Sequence, residues 1–160
     1  MNKRPRLELK LNQTDKIMEI IGWIVLLSIW IFTLINYIDL PEIIPTHYNG
    51  TGNANGFGKK RAILILPTIS TIIFIGITIL NKHPHLFNYP DTITEKNALF
   101  QYTNITRMLR VLKLSIAIIF GVIIFKTVSG TKLGTWFLPF IISSVLIPII
   151  YFINKSSQEK

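Results

Sequence analysis

The sequence predicts an all-α membrane protein with four transmembrane helices, and three observations predict it. Hydrophobic residues make up 49% of the chain and its mean hydropathy is +0.45, more apolar than a water-soluble domain of this size needs. Residues 20–38, 62–80 and 133–153 contain no charged side chain, and each is long enough as a helix to cross about 30 Å of hydrocarbon. The net charge of +9 is concentrated at the ends of these blocks, where Lys and Arg meet anionic headgroups.

The first block follows a basic segment, residues 1–16, in the manner of a signal peptide. Its apolar run is longer than a signal core, and residues 36–45 lack a small-x-small cleavage pattern, so it is read as a retained span. The third crossing is the shortest, with residues 114–125 uncharged. It reaches spanning length over 111–128 if Lys113 and Lys126 snorkel to opposite interfaces. Trp23, Tyr37, Trp136 and Tyr151 lie near span ends as interfacial aromatics do, whereas Trp30 falls mid-span.

Four spans divide the chain into a basic N-terminus (1–16), a helical hairpin (17–80) with an outer loop (39–61), an inner connection (81–110), a second transmembrane hairpin (111–153) and a tail (154–160). With both termini in the cytoplasm, twelve Lys and Arg fall inside, Lys3 and Lys160 among them. Five fall outside, at Lys59, Lys60, Arg61, Lys126 and Lys132, and this bias favours that orientation. The expected location is a bacterial cytoplasmic membrane, with the lipid bilayer as partner and no nucleic acid. No cysteine is present, so neither disulfides nor thiolate chemistry enter, and no cofactor is expected.

The outer loop is the most informative segment. Residues 40–60 read LPEIIPTHYNGTGNANGFGKK. Pro41 and Pro45 stop the first helix, residues 43–48 suit a short extended stretch, and Gly50, Gly52, Gly56 and Gly58 crowd turns into nine residues. Asn49-Gly50 and Asn55-Gly56 suit positive φ. Pro, His, Tyr and Phe spaced among the glycines indicate an ordered turn structure and not a flexible linker. His47 is the loop side chain whose charge changes near neutral pH, with Asp39 and Glu42 preceding it. Three readings stand together: His47, Tyr48 and Asn49 hydrogen-bond the turns; they form a surface for an external ligand; or His47 and the two carboxylates bind a metal, for which no recognised ligand spacing exists.

These residues resemble a known family, the domain of unknown function 1648, which also forms the N-terminal part of SdpI-type immunity membrane proteins. The resemblance is carried by Leu40 and Pro41, by Ile44, Pro45, His47, Tyr48 and Asn49, by Gly52, Gly56, Phe57 and Gly58, and by Lys60 before the second span. It covers about residues 20–80. SdpI-type proteins protect their host against a secreted killing peptide and relay its presence to a cytoplasmic repressor, so the resemblance implies immunity or signalling toward an envelope-active peptide. The chain is expected to be a short stand-alone member without the additional membrane region of those proteins.

In the inner connection, residues 92–95 fit a capping box, with Thr94 as the rival N-cap. Ala98, Tyr102, Ile105, Leu109 and Leu112 then advance by three and four, while Lys96, Thr103, Arg107 and Arg110 mark the other side. This predicts an amphipathic helix on the cytoplasmic interface, with Arg107, Arg110 and Lys113 toward headgroups or toward a docking repressor. His83 and His85 fall across the membrane from His47.

Within the spans only hydroxyls and one Asn are polar. They are expected to bond back to their own helices or to a neighbour, which disfavours channels and proton-coupled transport. Pro139 and Pro148 are expected to bend the fourth helix. No catalytic residue is assigned. The expected function is non-catalytic recognition of an envelope-active peptide; the alternatives are an accessory subunit of another membrane protein, and a membrane enzyme or metal-binding protein using His47.

Overall fold

A computed structural model describes residues 4–158; Lys3 and Lys160 of the charge count lie outside the described residues. The protein is mostly helical: α1 (Gln13–Asn36), strands β1 (Ile43–Tyr48) and β2 (Ala54–Lys59), a 3-10 turn (Lys60–Leu64), α2 (Ile65–Leu80), α3 (Ala98–Val128) and α4 (Phe137–Ser156). Four segments, Gln13–Asn36, Lys60–Leu80, Ala98–Val128 and Phe137–Ser156, are long and apolar enough to cross a membrane. Exposed Ile and Leu cover their outer faces, as a lipid solvent requires.

Helix α1 begins well before its apolar run because Asn12 caps it. The Asn12 carboxamide accepts from Asp15 N at 2.8 Å and Asp15 Oδ2 accepts from Asn12 N at 3.1 Å, a reciprocal box that satisfies two orphan donors. Its inward stripe is Gly22, Leu26, Ile29 and Thr33, four and three residues apart. Gly22 is there for space: a Cβ would lie 2.7 Å from the Phe74 ring of α2. Mid-span Trp30 also has a partner, since its indole N–H donates to Thr71 Oγ1 of α2 at 2.9 Å. Thr33, Thr71 and Thr78 return their hydroxyls to carbonyls four residues back.

Helix α3 is the axis. It packs on α1, α2 and α4, whereas α2 and α4 do not pack substantially on each other. Ala117 is fully buried and Gly121 lets Ile29 come close. At 31 residues the helix runs about 46 Å, so the predicted amphipathic helix and third span are one unbroken element.

Of the two caps expected, the rival at Thr94 makes the reciprocal bonds, in the turn before α3. Asn97 Oδ1 accepts from Thr94 N, and Thr94 Oγ1 accepts from Asn97 N. Asn97 takes the reciprocal role foreseen for Glu95 because Ile93 must turn inward onto Ala98 and Tyr102. A correction concerns Pro139, which lies in the first turn of α4, where no intrahelical N–H bond is required. Pro148 is inside the helix.

Within this helical frame the loop after α1 is a β-hairpin. The antiparallel register is Ile43↔Lys59, Ile44↔Gly58, Pro45↔Phe57, His47↔Gly56 and Tyr48↔Ala54, with irregularities around Pro45, His47 and Tyr48. The hairpin is seated on the bundle by Ile44, which is 2% exposed and clusters with Ile29, Leu40, Ile63, Ala117 and Ile124.

Candidate functional site

The hairpin is built by the residues that stood out in its sequence. Asn49 organises the tip: its side-chain oxygen accepts from Thr51 N at 3.1 Å, Asn53 N at 2.9 Å and Thr51 Oγ1 at 2.8 Å, an Asx turn with three donors. Gly52 follows with φ 77°, a left-handed conformation that costs any side chain. Gly56 and Gly58 are small for a different reason, because a Cβ there would press on His47 Cβ at 2.9 Å and Thr46 Cγ2 at 3.0 Å.

At the base, Lys60 pairs with Glu42 at 3.0 Å and lies 5.6 Å from the Tyr37 ring centre. Leu40 is buried beneath, while Pro41 is exposed at the turn. Pro45 is tolerated because β1 is an edge strand. His47 Nδ1 meets Asn55 Oδ1 at 2.5 Å. Asp39, Glu42 and His47 are not brought together as a ligand set; Glu42 is engaged by Lys60 and His47 by Asn55.

The hairpin also docks on the connection between α3 and α4. Leu133 N donates to Gly52 O at 3.0 Å, and Gly134, itself at φ 85°, lies so close to Gly52 that a Cβ on Gly52 would overlap its backbone. Tyr48 Oη shares a hydrogen bond of 2.9 Å with Thr127 Oγ1 near the end of α3. The connection between α3 and α4 is thus bound to the hairpin, and Gly130 and Gly134 were the one local signal of it. Tyr48→Phe is expected to lower stability by about 1 kcal/mol, the usual net contribution of one such bond. Thermal unfolding in matched detergent measures it, and an unchanged midpoint would show the Thr127 contact to be idle.

Between these elements lies a cleft of about 470 Å³, within the range of small-molecule sites. One wall is β1 and the tip, residues 44–50 and Gly52; the others are Ala62 and Ile63 of the 3-10 turn, Ile65 and Leu66 at the start of α2, Ile123 and Thr127 on α3, and Leu133, Gly134, Phe137, Leu138 and Ile141 leading into α4. None of these is Lys, Arg, Asp or Glu. Phe57 is 63% exposed and does not line the cleft.

The opposite end of the bundle carries a buried cluster of ion pairs. Asp15 accepts from Arg107 Nε at 2.8 Å and Nη2 at 3.3 Å. Glu19 accepts from Arg110 Nε at 3.0 Å and Lys113 Nζ at 2.6 Å. Lys113 also donates to Thr78 Oγ1 at 2.7 Å and sits 4.1 Å from the Phe74 ring centre. The expected outward orientation of Arg110 and Lys113 is therefore corrected, as both are buried. An ammonium that pairs with a carboxylate on the neighbouring helix has no reason to snorkel.

Arg107 remains partly exposed. Polar side chains also line the inward face here, where Gln101 Nε2 and Asn104 Nδ2 donate to Ser156 O and Phe152 O of α4. Asp15 and Glu19 were missed as functional residues, although carboxylates four apart facing cations three apart is a legible pattern once α1 and α3 are known neighbours. Beside this end, burial pushes the Tyr89 phenol above its ordinary value; Tyr102 adds to the shift and Arg4 opposes it.

Comparison with known proteins agrees with the resemblance read from the loop. The family model described as "Domain of unknown function (DUF1648)" matches residues 24–71, the second half of α1, the hairpin and the start of α2. An uncharacterised protein of the archaeon Archaeoglobus fulgidus is 30% identical over 88 residues, covering 50% of this chain and 48% of the relative. The chain thus spans about half the length of the curated relative it matches. No solved structure matches.

Proposed function

We propose, from the premise that residues 24–71 carry a DUF1648 segment, that this is a non-catalytic membrane protein that senses or shields against an envelope-active molecule, a peptide in the reading that the SdpI resemblance suggests. The observation that carries the reading is the cleft of about 470 Å³ under the hairpin, mostly apolar with a few convergent polar groups, which is how ligand sites are built. A non-catalytic role fits a lining without carboxylate and a His47 held by an amide and not by an acid, since a hydrolytic triad would need an acid beside the imidazole.

In this proposal the membrane is the bacterial cytoplasmic membrane, the hairpin faces outward, and the polar extension of α3 with the Asp15–Arg107 cluster faces the cytoplasm, as the charge bias favours. Arg107, the partly exposed member, is the residue through which occupancy would be passed on. Single cysteines at His47 and Arg107 test the arrangement in intact cells: an impermeant maleimide is expected to label the first and spare the second. The reverse pattern overturns the orientation.

Deleting the gene is expected to sensitise cells to membrane-active peptides, and Leu138→Trp, which fills the cleft, is expected to reproduce the deletion at normal protein level. A second reading, an accessory subunit of a membrane complex, is favoured by α4, of which 6% of the spanning window is buried against 22–28% for the other three. Unchanged peptide sensitivity together with a stoichiometric co-purifying membrane protein would select it.

A further inference from the structure

Two walls of the cleft, Ala62, Ile63, Ile65 and Leu66 on one side and Phe137, Leu138 and Ile141 on the other, come from the 3-10 turn with the start of α2 and from the start of α4. These helices do not pack substantially on each other, so an opening between them would face hydrocarbon at the depth of the spans. The roof of the cleft is polar and carries no Lys, Arg, Asp or Glu: Thr46, His47 and Asn49 line it. His47 Nδ1 is paired with Asn55 Oδ1, which leaves Nε2 as the ring's other polar atom.

Lysine and arginine make up 17 residues of this chain, yet none lines the cleft, so an anionic headgroup would be desolvated there without a counter-charge. A wholly apolar occupant would in turn leave the roof's donors and acceptors unmatched.

We infer that the cleft takes an uncharged amphiphile, a hydrocarbon chain bearing a hydroxyl or amide head, which enters sideways from the bilayer between α2 and α4 and sets its head under the hairpin against His47 and Asn49. The inference rests on the cleft being the ligand site and goes beyond the peptide reading by naming the chemistry that fills it. Tyr48 and Thr127 are bonded to each other at 2.9 Å, so the roof groups left for the head are Thr46, His47 and Asn49.

The test uses the full chain in nanodiscs of phosphatidylcholine and phosphatidylglycerol, with a diazirine-bearing monooleoylglycerol as probe. Photolabelling is expected within 44–50, 62–66 and 133–141. Unlabelled monooleoylglycerol is expected to compete, and lysophosphatidylglycerol, with the same chain and an anionic head, is not. Leu138→Trp is expected to lower labelling by about tenfold through loss of space, Leu138→Met to keep it, and Ile147→Trp, which is 64% exposed and outside the cleft, to leave it unchanged. His47→Ala is expected to weaken labelling by the glyceride while sparing labelling by a head-free diazirine alkane.

Equal competition by the anionic lipid, or labelling spread along the lipid face of α1 and indifferent to Leu138→Trp, overturns the inference. If an uncharged apolar hexapeptide labels the cleft and the glyceride does not, the amphiphile is wrong and the cleft stands as a site. If neither labels it and Leu138→Trp leaves peptide sensitivity unchanged, the reading of the cleft falls with it.

Discussion

Glu19→Ala is expected to destabilise the protein by about 3–5 kcal/mol, the usual cost of removing one partner from a buried ion pair. The carboxylate holds two cations, Lys113 at 2.6 Å and Arg110 at 3.0 Å, and their side chains are 1% and 4% exposed. Without Glu19, Lys113 keeps only the neutral Thr78 hydroxyl at 2.7 Å, and Arg110 keeps only the longer contact to Asp15 at 3.9 Å. The loss follows from stranded charge, and removing a cation as well should relieve it: Glu19→Ala with Lys113→Met is expected to be less damaging than the sum of the two single changes. Denaturant unfolding of the four proteins in one detergent gives the coupling directly. Strict additivity would mean that the two side chains do not share a site. The contrast with Lys60–Glu42 is instructive, because Glu42 is exposed and breaking that pair should cost no more than about 1 kcal/mol.

Gly52→Ala is the second large effect. A left-handed conformation costs an L-residue about 1–2 kcal/mol, and at φ 77° the added methyl would also be driven into the Gly134 backbone. The hairpin tip is therefore expected to lift, breaking the bond from Leu133 N to Gly52 O and opening the end of the cleft. Two other glycines separate the contributions. Gly130 has φ 63° but open space around its Cβ position, so Gly130→Ala should show the conformational cost alone. Gly76 has no close neighbour and no positive φ, so in the interior of α2 Gly76→Ala should be neutral or stabilising by roughly 0.5–1 kcal/mol. A cysteine at Leu133, 2% exposed in the intact protein, reports lifting by becoming reactive. If Gly52→Ala leaves it protected, the tip does not depend on this close approach.

The features that could be read in advance are those a short stretch of chain determines alone. Apolar length selects a spanning helix whichever helix it packs against, and residues 43–48 followed by four glycines indicate a strand and turns before any partner is known. The resemblance located in residues 40–60 coincides with the hairpin for the same reason, since Asn49, Gly52, Gly56 and Gly58 act on neighbours within the loop. Two caps before α3 stay open in the sequence because Thr94 with Asn97 and Thr92 with Glu95 are locally equivalent, and burial of Ile93 chooses between them. Arg110 and Lys113 were oriented wrongly because an isolated helix next to lipid does send its cations to headgroups; their carboxylates arrive from about 90 residues away in the chain.

From composition and period alone came the four spanning helices, the ordered loop and the bias of positive charge. Only the tertiary structure decided that α1 faces α3, that the 130–136 connection closes on the hairpin tip, and that α2 and α4 part to leave a cleft. Helix length and turn geometry are set by interactions within a few residues. Which faces meet depends on the rotation and order of helices about α3, and that is settled by contacts no single segment contains.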